Sequence, residues 1–424
     1  PGRDAAAVTV SPTSPHAVTF LMVTLFLDTL GFGLIIPVLP GLIRELTGAP
    51  MAAAAGWGGG LMFVYATMQF LFSPVIGNLS DRFGRRPVLL LSLTTLAIDY
   101  LIMGLAPTIA FLFLGRMLSG ASAATFATAN AYIADVTDEA TRAGQYGKIG
   151  AAWGLGFVVG PALGGLLGEL GPRVPFFAAA ALASVNVLYG LLVLPETLPP
   201  ARRRPFRLAR ANPIGALAAV RREPVVAALF VGIALYFLAH DVNPTTWTYY
   251  VIHRFEWSPS QVGLALGVVG LSTALVSGTL VGPVVARIGE ARSMYLGLSA
   301  CAFSYFGHAL VPKGWMLFPC IAVGAFVGLV MPSLRGILSR RFPPDARGEM
   351  EGAIASLVSL VAIVSPLVLT QTFRYFSRPG APVYFPGASF FLAGTLAVIA
   401  MLWFALVLSR AEPAPARPAT GDAG

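Results

Sequence analysis

The sequence has little charge, and this excludes most classes of soluble protein. Charged residues make up 11% of its 424 positions, against roughly 25% in an ordinary soluble domain. Its two cysteines, Cys301 and Cys320, both lie in apolar stretches, so no disulfide framework is expected. The four histidines show no metal-ligand spacing, and no nucleophile–base pair or phosphate-binding glycine loop accompanies them, which argues against an enzyme. The arginines behind the net charge of +9 sit in short clusters between apolar runs, which excludes nucleic-acid binding.

What the sequence has in abundance is long apolar runs. Hydrophobic residues make up 56% of the chain, and its mean hydropathy is +0.76. A membrane-spanning helix needs about 20 mostly apolar residues. Twelve runs meet this need, at about 17–43, 56–76, 87–106, 108–134, 146–168, 174–194, 224–251, 261–286, 293–311, 314–338, 352–373 and 384–408. The sequence therefore predicts an all-α integral membrane protein with twelve transmembrane helices.

Basic residues are concentrated in every second predicted loop, and this indicates the orientation of the chain in the membrane. With the N-terminus inside, 18 lysines and arginines fall in cytoplasmic loops and six in outer loops, as the positive-inside rule requires. Both termini are then cytoplasmic. The longest polar connection divides the chain into an N-terminal tail (1–16), a six-helix bundle (17–194), a cytoplasmic linker (195–222), a second six-helix bundle (223–409) and a C-terminal tail (410–424). Two lysines amid abundant alanine, glycine, proline and arginine indicate a bacterial protein, in the inner membrane.

The two halves are related by a repeat with a constant offset of 205 residues. Its landmarks pair as follows: Gly77 with Gly282, Arg82 with Arg287, Gly84 with Gly289, Arg142 with Arg347, Gly147 with Gly352 and Pro161 with Pro366. Parallel six-helix repeats around a midplane site are typical of rocker-type secondary transporters. Asp81 breaks the repeat, because its counterpart is Ala286. Topology alone therefore does not explain Asp81.

A few ionisable residues fall inside the predicted spans, where a charge costs about 2.5–3.5 kcal/mol on insertion scales. Asp28 lies roughly 16 Å into the first helix, and Asp99 lies at a similar depth in the third. Arg116 lies in the fourth helix. We expect these three to couple transport to protons, the alternative being structural hydrogen bonds. His240 and Asp241 lie in the seventh helix beside a break at Asn243–Pro244, and the alternative for them is a solvated helix end.

Polar and aromatic residues in the spans are candidates for lining a central cavity. Ligand pockets are mostly apolar with a few orienting polar groups. Besides His240 and Asp241, the candidates are Tyr65, Gln69, Asn130, Tyr236, Trp247 and Tyr250. For each of them, packing between helices is an equally good interpretation.

Four motifs resemble those of the major facilitator superfamily, in its drug–proton antiporter branch. "GNLSDRFGRR" resembles the loop motif between the second and third helices, "LFLGRMLSGASAA" the fourth-helix motif, and "GFVVGPALGG" the fifth-helix antiporter motif. "LDTLGFGLIIPVLP" resembles the first helix of the tetracycline-efflux subfamily. The resemblance covers about residues 17–408, and it implies a major facilitator fold of two pseudo-symmetric six-helix bundles.

The resemblance also implies roles for the motif residues. The loop motif would be a gate in which Asp81 bonds to helix ends and to a charge from the eleventh helix when the cytoplasmic side is closed. This gate comprises Gly77, Asp81, Arg82, Gly84, Arg85, Arg86, Asp135, Arg142 and Glu349. The antiporter motif would let a neighbouring helix approach closely and seal one face. It comprises Gly156, Gly160, Pro161, Gly164 and Gly165.

The function implied is proton-coupled antiport that exports an amphipathic drug-like molecule by alternating access. The partners would be the small-molecule substrate, protons and the lipid bilayer, with the chain a monomer. No cofactor beyond the proton gradient is implied, although a metal–drug chelate could be the substrate. Cys301 and Thr273 replace the acidic residue and the histidine that tetracycline exporters typically carry in the ninth and eighth helices, so the substrate stays open. A lipid, lysolipid or metabolite transporter of the same fold is the alternative.

Overall fold

The computed structural model describes residues 15–123, 125–136, 139–206, 223–342 and 346–410. The predicted tails lie largely outside these ranges, as does most of the predicted linker. The described residues of the first half form eight α-helices: α1 (Pro15–Ile35), α2 (Leu39–Thr47), α3 (Met51–Phe83), α4 (Arg85–Leu105), α5 (Ile109–Ser122), α6 (Thr125–Val136), α7 (Glu139–Gly168) and α8 (Val174–Val193). A short 3₁₀ turn at Pro200–Arg202 follows.

In the part of the second half that the structure describes there are nine α-helices: α9 (Pro224–His240), α10 (Val242–Phe255), α11 (Pro259–Leu275), α12 (Val281–Ile288), α13 (Glu290–Leu310), α14 (Leu317–Gly324), α15 (Val330–Ser339), α16 (Arg347–Ser377) and α17 (Ala388–Arg410). A π-helical turn, Val276–Leu280, joins α11 to α12. A 3₁₀ turn, Ala325–Leu329, joins α14 to α15.

Among the described residues, nine helical stretches are long and apolar enough to cross a membrane. The bent pair α1–α2 would make a tenth. Two further predicted spans are helical but do not meet both criteria: α5 and α6 are short helices on either side of residue 124, and α13 has 21 residues but is less apolar. The chain is therefore an all-helical membrane protein, and the count of twelve spans stays a prediction.

Prolines produce the bends of two spans. α1 and α2 meet at an angle of 46°, where Pro37 and Pro40 supply no backbone N–H to continue the helical ladder. Pro244 likewise cannot donate to the carbonyl of His240, four residues earlier, and the helix is interrupted at Asp241 between α9 and α10. Both bends place backbone at membrane depth where it lines a cavity, as irregular backbone in membrane proteins must.

The repeat is visible in the helix boundaries. α4 and α13 begin and end at positions that differ by 205 residues. Each follows a glycine in a left-handed conformation, Gly84 with φ 110° and Gly289 with φ 78°, which side chains with a Cβ rarely adopt. Pro161 and Pro366 lie inside α7 and α16, again 205 residues apart. The same chain geometry thus occurs twice.

The two halves are in close contact at one end. α7 packs against α11, and α3 packs against α10 and α16. At the end that contains Pro259, hereafter the Pro259 end, the seam is tight: Gly165 lies against Pro259 and Ser260, and Gly263 lies against Pro161. At the opposite end, hereafter the Gly77 end, a Cβ on any of five glycines would meet no atom of the described residues within 4 Å: Gly77, Gly144, Gly147, Gly282 and Gly348. The seam is thus closed at the Pro259 end, and these glycines of the Gly77 end take no part in a contact between the halves.

Candidate functional site

A central cavity of about 250 Å³ lies between the two halves. Its wall is mostly apolar and includes Phe32, Leu61 and Phe157. Its polar and charged lining residues are Tyr65, Gln69, Arg116, Asp241, Thr245, Thr248 and Tyr249. A mostly apolar wall with a few polar groups suits an amphipathic small molecule.

Arg116 and Asp99 form a buried ion pair in the first half. The Nη2 atom of Arg116 donates a hydrogen bond to Oδ2 of Asp99, and the two side chains are 9% and 0% exposed. The guanidinium also lies 5.6 Å from the centre of the Tyr65 ring, within the range of a cation–π contact. Arg116 is therefore neutralised on one side while it lines the central cavity on the other.

Glycine at position 115 makes room for this pair. A Cβ on Gly115 would collide with the Asp99 carboxylate and would lie 3.3 Å from Cγ of Met103. α5 can therefore approach α4 closely at the position where Arg116 must reach Asp99. Gly115, which precedes Arg116 in the fourth-helix motif, thus allows the close packing of α5 on α4.

Asp28 lies near the ion pair but not in the cavity wall. Its Oδ1 atom is enclosed and has no hydrogen-bond partner among the described residues. Asp28, Asp99 and Arg116 all act electrostatically on Tyr65 and on Tyr100. These three ionisable residues thus form one electrostatic group beside the cavity.

Asp241 and His240 face different cavities. Asp241 lines the central cavity, and Oγ of Ser365 donates a hydrogen bond to its Oδ2 atom. His240 lines a second cavity of about 90 Å³ inside the second half. Thr273 and Cys301, which stand where the tetracycline-efflux pattern has ionisable residues, line that second cavity too. The two adjacent residues therefore form part of the wall between the cavities.

The other predicted cavity residues divide into three groups. Tyr65 and Gln69 line the central cavity. Trp247 lines the second cavity, whereas Tyr236 and Tyr250 are buried in the apolar packing of the second half. Asn130 lies on α6, but its side chain is outside the described part of the structure. Spacing alone does not show which face of a helix meets the cavity.

The loop motif forms a charge cluster within the first half. Nη1 of Arg85 is 2.7 Å from Oδ1 of Asp81, and Nε of Arg85 is 3.2 Å from Oδ2 of Asp135. Arg82 stacks on the neighbouring Phe83 ring at 5.0 Å. The backbone carbonyl of Asp81 accepts a hydrogen bond from the Arg204 N–H at 3.0 Å. Asp81 is therefore tied to its own motif and to the start of the predicted linker.

The structure adds Glu196, which the sequence analysis did not select. Its carboxylate accepts hydrogen bonds from the backbone N–H of Arg85 at 2.9 Å and of Arg86 at 3.3 Å. These are the first two residues of α4, whose unpaired N–H groups and positive dipole end favour an anion. A Cβ on Gly84 would collide with this carboxylate. The sequence signal was the glutamate of "LPETL", but its partner lies 111 residues away.

The remaining charged residues of the predicted gate are placed as follows. Glu349 lies exposed in the first turn of α16. Glu351, two residues further along, pairs with Arg335 at 3.2 Å. Arg142 lies in α7, and its side chain is outside the described part of the structure. Nη2 of Arg86 donates to the carbonyl of Leu191 at 2.7 Å.

The antiporter-motif glycines form two seams along α7. A Cβ on Gly156 would lie 2.8 Å from the carbonyl oxygen of Phe26, and one on Gly160 would lie 2.8 Å from that of Leu30. Gly164 touches Leu34 in the same seam with α1, and Gly165 faces α11 across the two halves. Pro161 contributes to both seams through Gly33 and Gly263. Small residues at these points let the helix backbones approach closely.

Comparison with known proteins agrees with this architecture. The family model "Major Facilitator Superfamily" matches residues 21–366 and 245–423. The chain is 40% identical over 360 residues to the class C tetracycline resistance protein of Escherichia coli, covering 85% of this chain and 90% of that protein. It is 34% identical over 362 residues to the class B protein of Escherichia coli, covering 84% and 88%.

Solved structures show the same fold. The nucleoside transporter NupG superposes with a TM-score of 0.75 at 14% identity, covering 93% of this chain and 100% of that chain. At this identity the likeness concerns the fold alone. Taken together with its cavity between two repeated halves, these matches show that the chain belongs to the major facilitator superfamily, within the family of the tetracycline resistance proteins.

Proposed function

We propose that the protein is a proton-coupled antiporter that exports an amphipathic drug-like molecule across the bacterial inner membrane. The observation that carries the proposal is the central cavity, whose mostly apolar wall includes Arg116, the basic member of the Arg116–Asp99 ion pair. The relatives are tetracycline resistance proteins and, at 28% identity, multidrug resistance protein 2 of Bacillus subtilis. Both kinds of name fit the export of a drug-like molecule. Protons and the substrate are the only partners that the proposal needs, and the chain acts as a monomer.

We further propose that twelve helices form two six-helix bundles, 17–194 and 223–409, with both termini and the linker in the cytoplasm. This orientation places the Gly77 end, with Arg82, Arg85 and Arg86, on the cytoplasmic side. The five glycines of that end take no part in a contact between the halves. The structure then corresponds to the inward-facing state, with the Pro259 end as the closed outer gate.

The proposed coupling uses the environment of Asp99 and Asp28. In the inward-facing state Asp99 holds Arg116 as a compensated pair, which a low-dielectric interior requires of buried charges. When the cavity wall rearranges and water enters, Asp99 can accept a proton and release Arg116. Asp28, next to the same two tyrosines, offers a second carboxylate for the proton. A difference in proton affinity between the two facing states is sufficient for coupling, and no fixed proton wire is needed.

Asp81 is proposed to support the closed cytoplasmic gate. In the open state described above, its carboxylate pairs with Arg85 of the same motif. On closure, α16 would approach the motif and Asp81 would stabilise the joined helix ends. Asp81→Asn should leave ligand binding largely intact while it slows transport. Transport at the wild-type rate in that variant would contradict this role.

The experiment for the proposed function is uptake by inverted inner-membrane vesicles that contain the protein. Tetracycline and a panel of neutral and charged amphipathic drugs are supplied outside, and the vesicles are energised to make their interior acidic. We expect uphill accumulation of at least one drug that stops when the pH gradient is dissipated. Accumulation of a lysolipid or metabolite alone would favour the alternative transporter class. Accumulation that survives loss of the gradient would contradict proton coupling.

A further inference from the structure

We propose that Asp241 is the binding group for the positive charge of the substrate, and that the substrate class is therefore amphipathic organic cations. This inference rests on the proposed export function. It assigns the binding of the substrate's positive charge to a cavity residue from the second half of the chain, a role that the Arg116–Asp99 ion pair of the first half does not fill.

Asp241 presents its carboxylate to the central cavity from a helix interruption. The residue lies between α9 and α10, and its backbone carbonyl accepts hydrogen bonds from the N–H and the hydroxyl of Thr245 at 3.2 and 2.5 Å. One carboxylate oxygen accepts from the Ser365 hydroxyl. No other hydrogen bond to the carboxylate occurs among the described residues, which leaves Oδ1 for a ligand.

Asp241 has no positive partner within ion-pair distance among the residues that the structure describes. His240 is the nearest candidate, but its ring packs on Tyr236 and Phe237, at 5.8 and 6.4 Å between centroids, and it lines the second cavity. Tyr236 and Tyr305 also lie within electrostatic reach of Asp241, and neither of these phenols carries a positive charge. The protein itself therefore does not supply the charge that an ionised Asp241 requires.

Arg116 cannot supply that charge from the opposite wall. It already pairs with Asp99, which is fully buried, and it is covered by the Tyr65 ring. The ion pair has no net charge, so the net charge on the described cavity wall comes from Asp241. An ionised carboxylate at membrane depth is costly unless a proton or a cation compensates it. An anionic substrate would meet uncompensated negative charge here, and a neutral one would leave it in place.

The rest of the wall fits the apolar body of such a cation. Aromatic rings of Phe32, Phe157 and Tyr249 line the cavity together with aliphatic side chains. Rings of this kind attract a cation through their faces and bury a flat apolar body. The shape and the charge of the cavity therefore select the same class of molecule.

The exchange at this site balances one proton against one cation. Protonated Asp241 is neutral when the cavity holds no substrate; the incoming cation pairs with the carboxylate, and the proton leaves to water. Substrate and proton thus compete for Asp241, and one unit of positive charge replaces another. Release of the cation on the outer side would let Asp241 take up a proton again.

The test compares a cation with a neutral molecule of similar shape, tetraphenylphosphonium and triphenylphosphine oxide. Binding to the purified full chain is measured by equilibrium dialysis and calorimetry for wild type, Asp241→Asn, Asp241→Glu and the control Glu45→Gln, whose carboxylate pairs with Arg173 away from the cavity. We expect Asp241→Asn to lose about tenfold to a hundredfold in affinity for the cation, the range of a charged hydrogen bond. Its affinity for the neutral molecule should not change, Asp241→Glu should restore part of the loss, and Glu45→Gln should behave as wild type.

Proton release separates this proposal from a structural role. In wild type at a pH where Asp241 is protonated, calorimetry in buffers of different ionisation enthalpy should show a proton released on cation binding, and Asp241→Asn should show none. Equal cation affinity in wild type and Asp241→Asn would overturn the proposal. An equal loss for both molecules would overturn it too, because Asp241 would then support the fold only. Vesicle accumulation is scored separately, so cation-selective binding without uphill transport would contradict the export function but not this site.

Discussion

Gly165→Ala tests whether the seam at the Pro259 end is an outer gate. The new methyl carbon would lie 3.0 Å from the carbonyl carbon of Pro259 and 3.0 Å from Cα of Ser260. Carbon atoms prefer separations of about 3.5–4.0 Å, so α7 and α11 must part by several tenths of an ångström. Both contacts are backbone atoms, which cannot turn aside as a side chain can.

The added methyl group should destabilise only the conformation in which the seam at the Pro259 end is closed. Overpacking of a tight contact typically costs about 1–3 kcal/mol. If the two halves separate at this end in the outward-facing state, the methyl group is accommodated there without cost. The ratio of outward-facing to inward-facing molecules should then rise by about 5-fold to 150-fold.

Gly154→Ala is the matched control on the same helix. A Cβ at this position would meet no atom within 4 Å, while the gain in helix propensity, about 1 kcal/mol for glycine to alanine, is the same at both sites. The assay is a pulsed electron–electron distance measurement between spin labels at two exposed residues of this end, Leu170 and Trp315. We expect a longer label distance in Gly165→Ala and the wild-type distance in Gly154→Ala. Identical distributions in the two variants would refute the alternating seam.

Three further predictions concern charged groups. Asp99→Asn leaves Arg116 buried without its partner, which should destabilise the protein by about 3–5 kcal/mol. In thermal unfolding, the double variant Asp99→Asn with Arg116→Gln should recover much of this lost stability. Additive losses of stability in the double variant would argue against a coupled pair. Hydrogen bonds from Ser260 and Ser258 hold the pKa of Glu169 below its usual value of 4.5. The Glu169 carboxylate therefore accepts these hydrogen bonds across the Pro259 end above pH 4.5, and they are lost as the pH falls through the lowered pKa. The label distance should therefore stay constant from neutral pH to about pH 5 and lengthen only below 4.5, and Glu169→Gln should abolish the transition. Glu196→Ala removes the anion from the first turn of α4 and should lower the free energy of unfolding by about 0.5–2 kcal/mol. An unchanged free energy of unfolding would show that water replaces the carboxylate at the helix N-terminus.

The sequence predicted the helical class and the repeat because both depend on local or periodic signals. Apolar runs identify spans wherever a run is long, and the 205-residue register places Gly84 opposite Gly289 without any knowledge of packing. It was less informative for the fourth predicted span, 108–134, where the structure has two short helices, α5 and α6, that both pack against α3 and α4. The sequence placed Asp28 and Asp99 at similar depths along their helices, but only the packing of α4 on α5 shows that Arg116 pairs with Asp99.

Rotation about a helix axis is what the sequence did not determine. Trp247 and Thr248 are neighbours, yet the first lines the second cavity and the second lines the central one. Both lie on α10, which follows the interruption at Asp241, and a sequence does not give the rotation of a helix about its own axis. Glu196 was missed for a different reason, since its role depends on a backbone partner in another helix. Neither effect leaves a periodic trace in the sequence.

The measurement that tests the account most directly is substrate-induced proton movement in proteoliposomes. The purified full chain is reconstituted with a pH-sensitive dye inside, and an amphipathic cation or drug is added without an imposed pH gradient. The account predicts that inward substrate movement drives protons out of the liposomes in wild type, and that Asp28→Asn and Asp99→Asn each lower the number of protons moved per substrate molecule. Substrate movement with no accompanying pH change in wild type would contradict proton-coupled antiport.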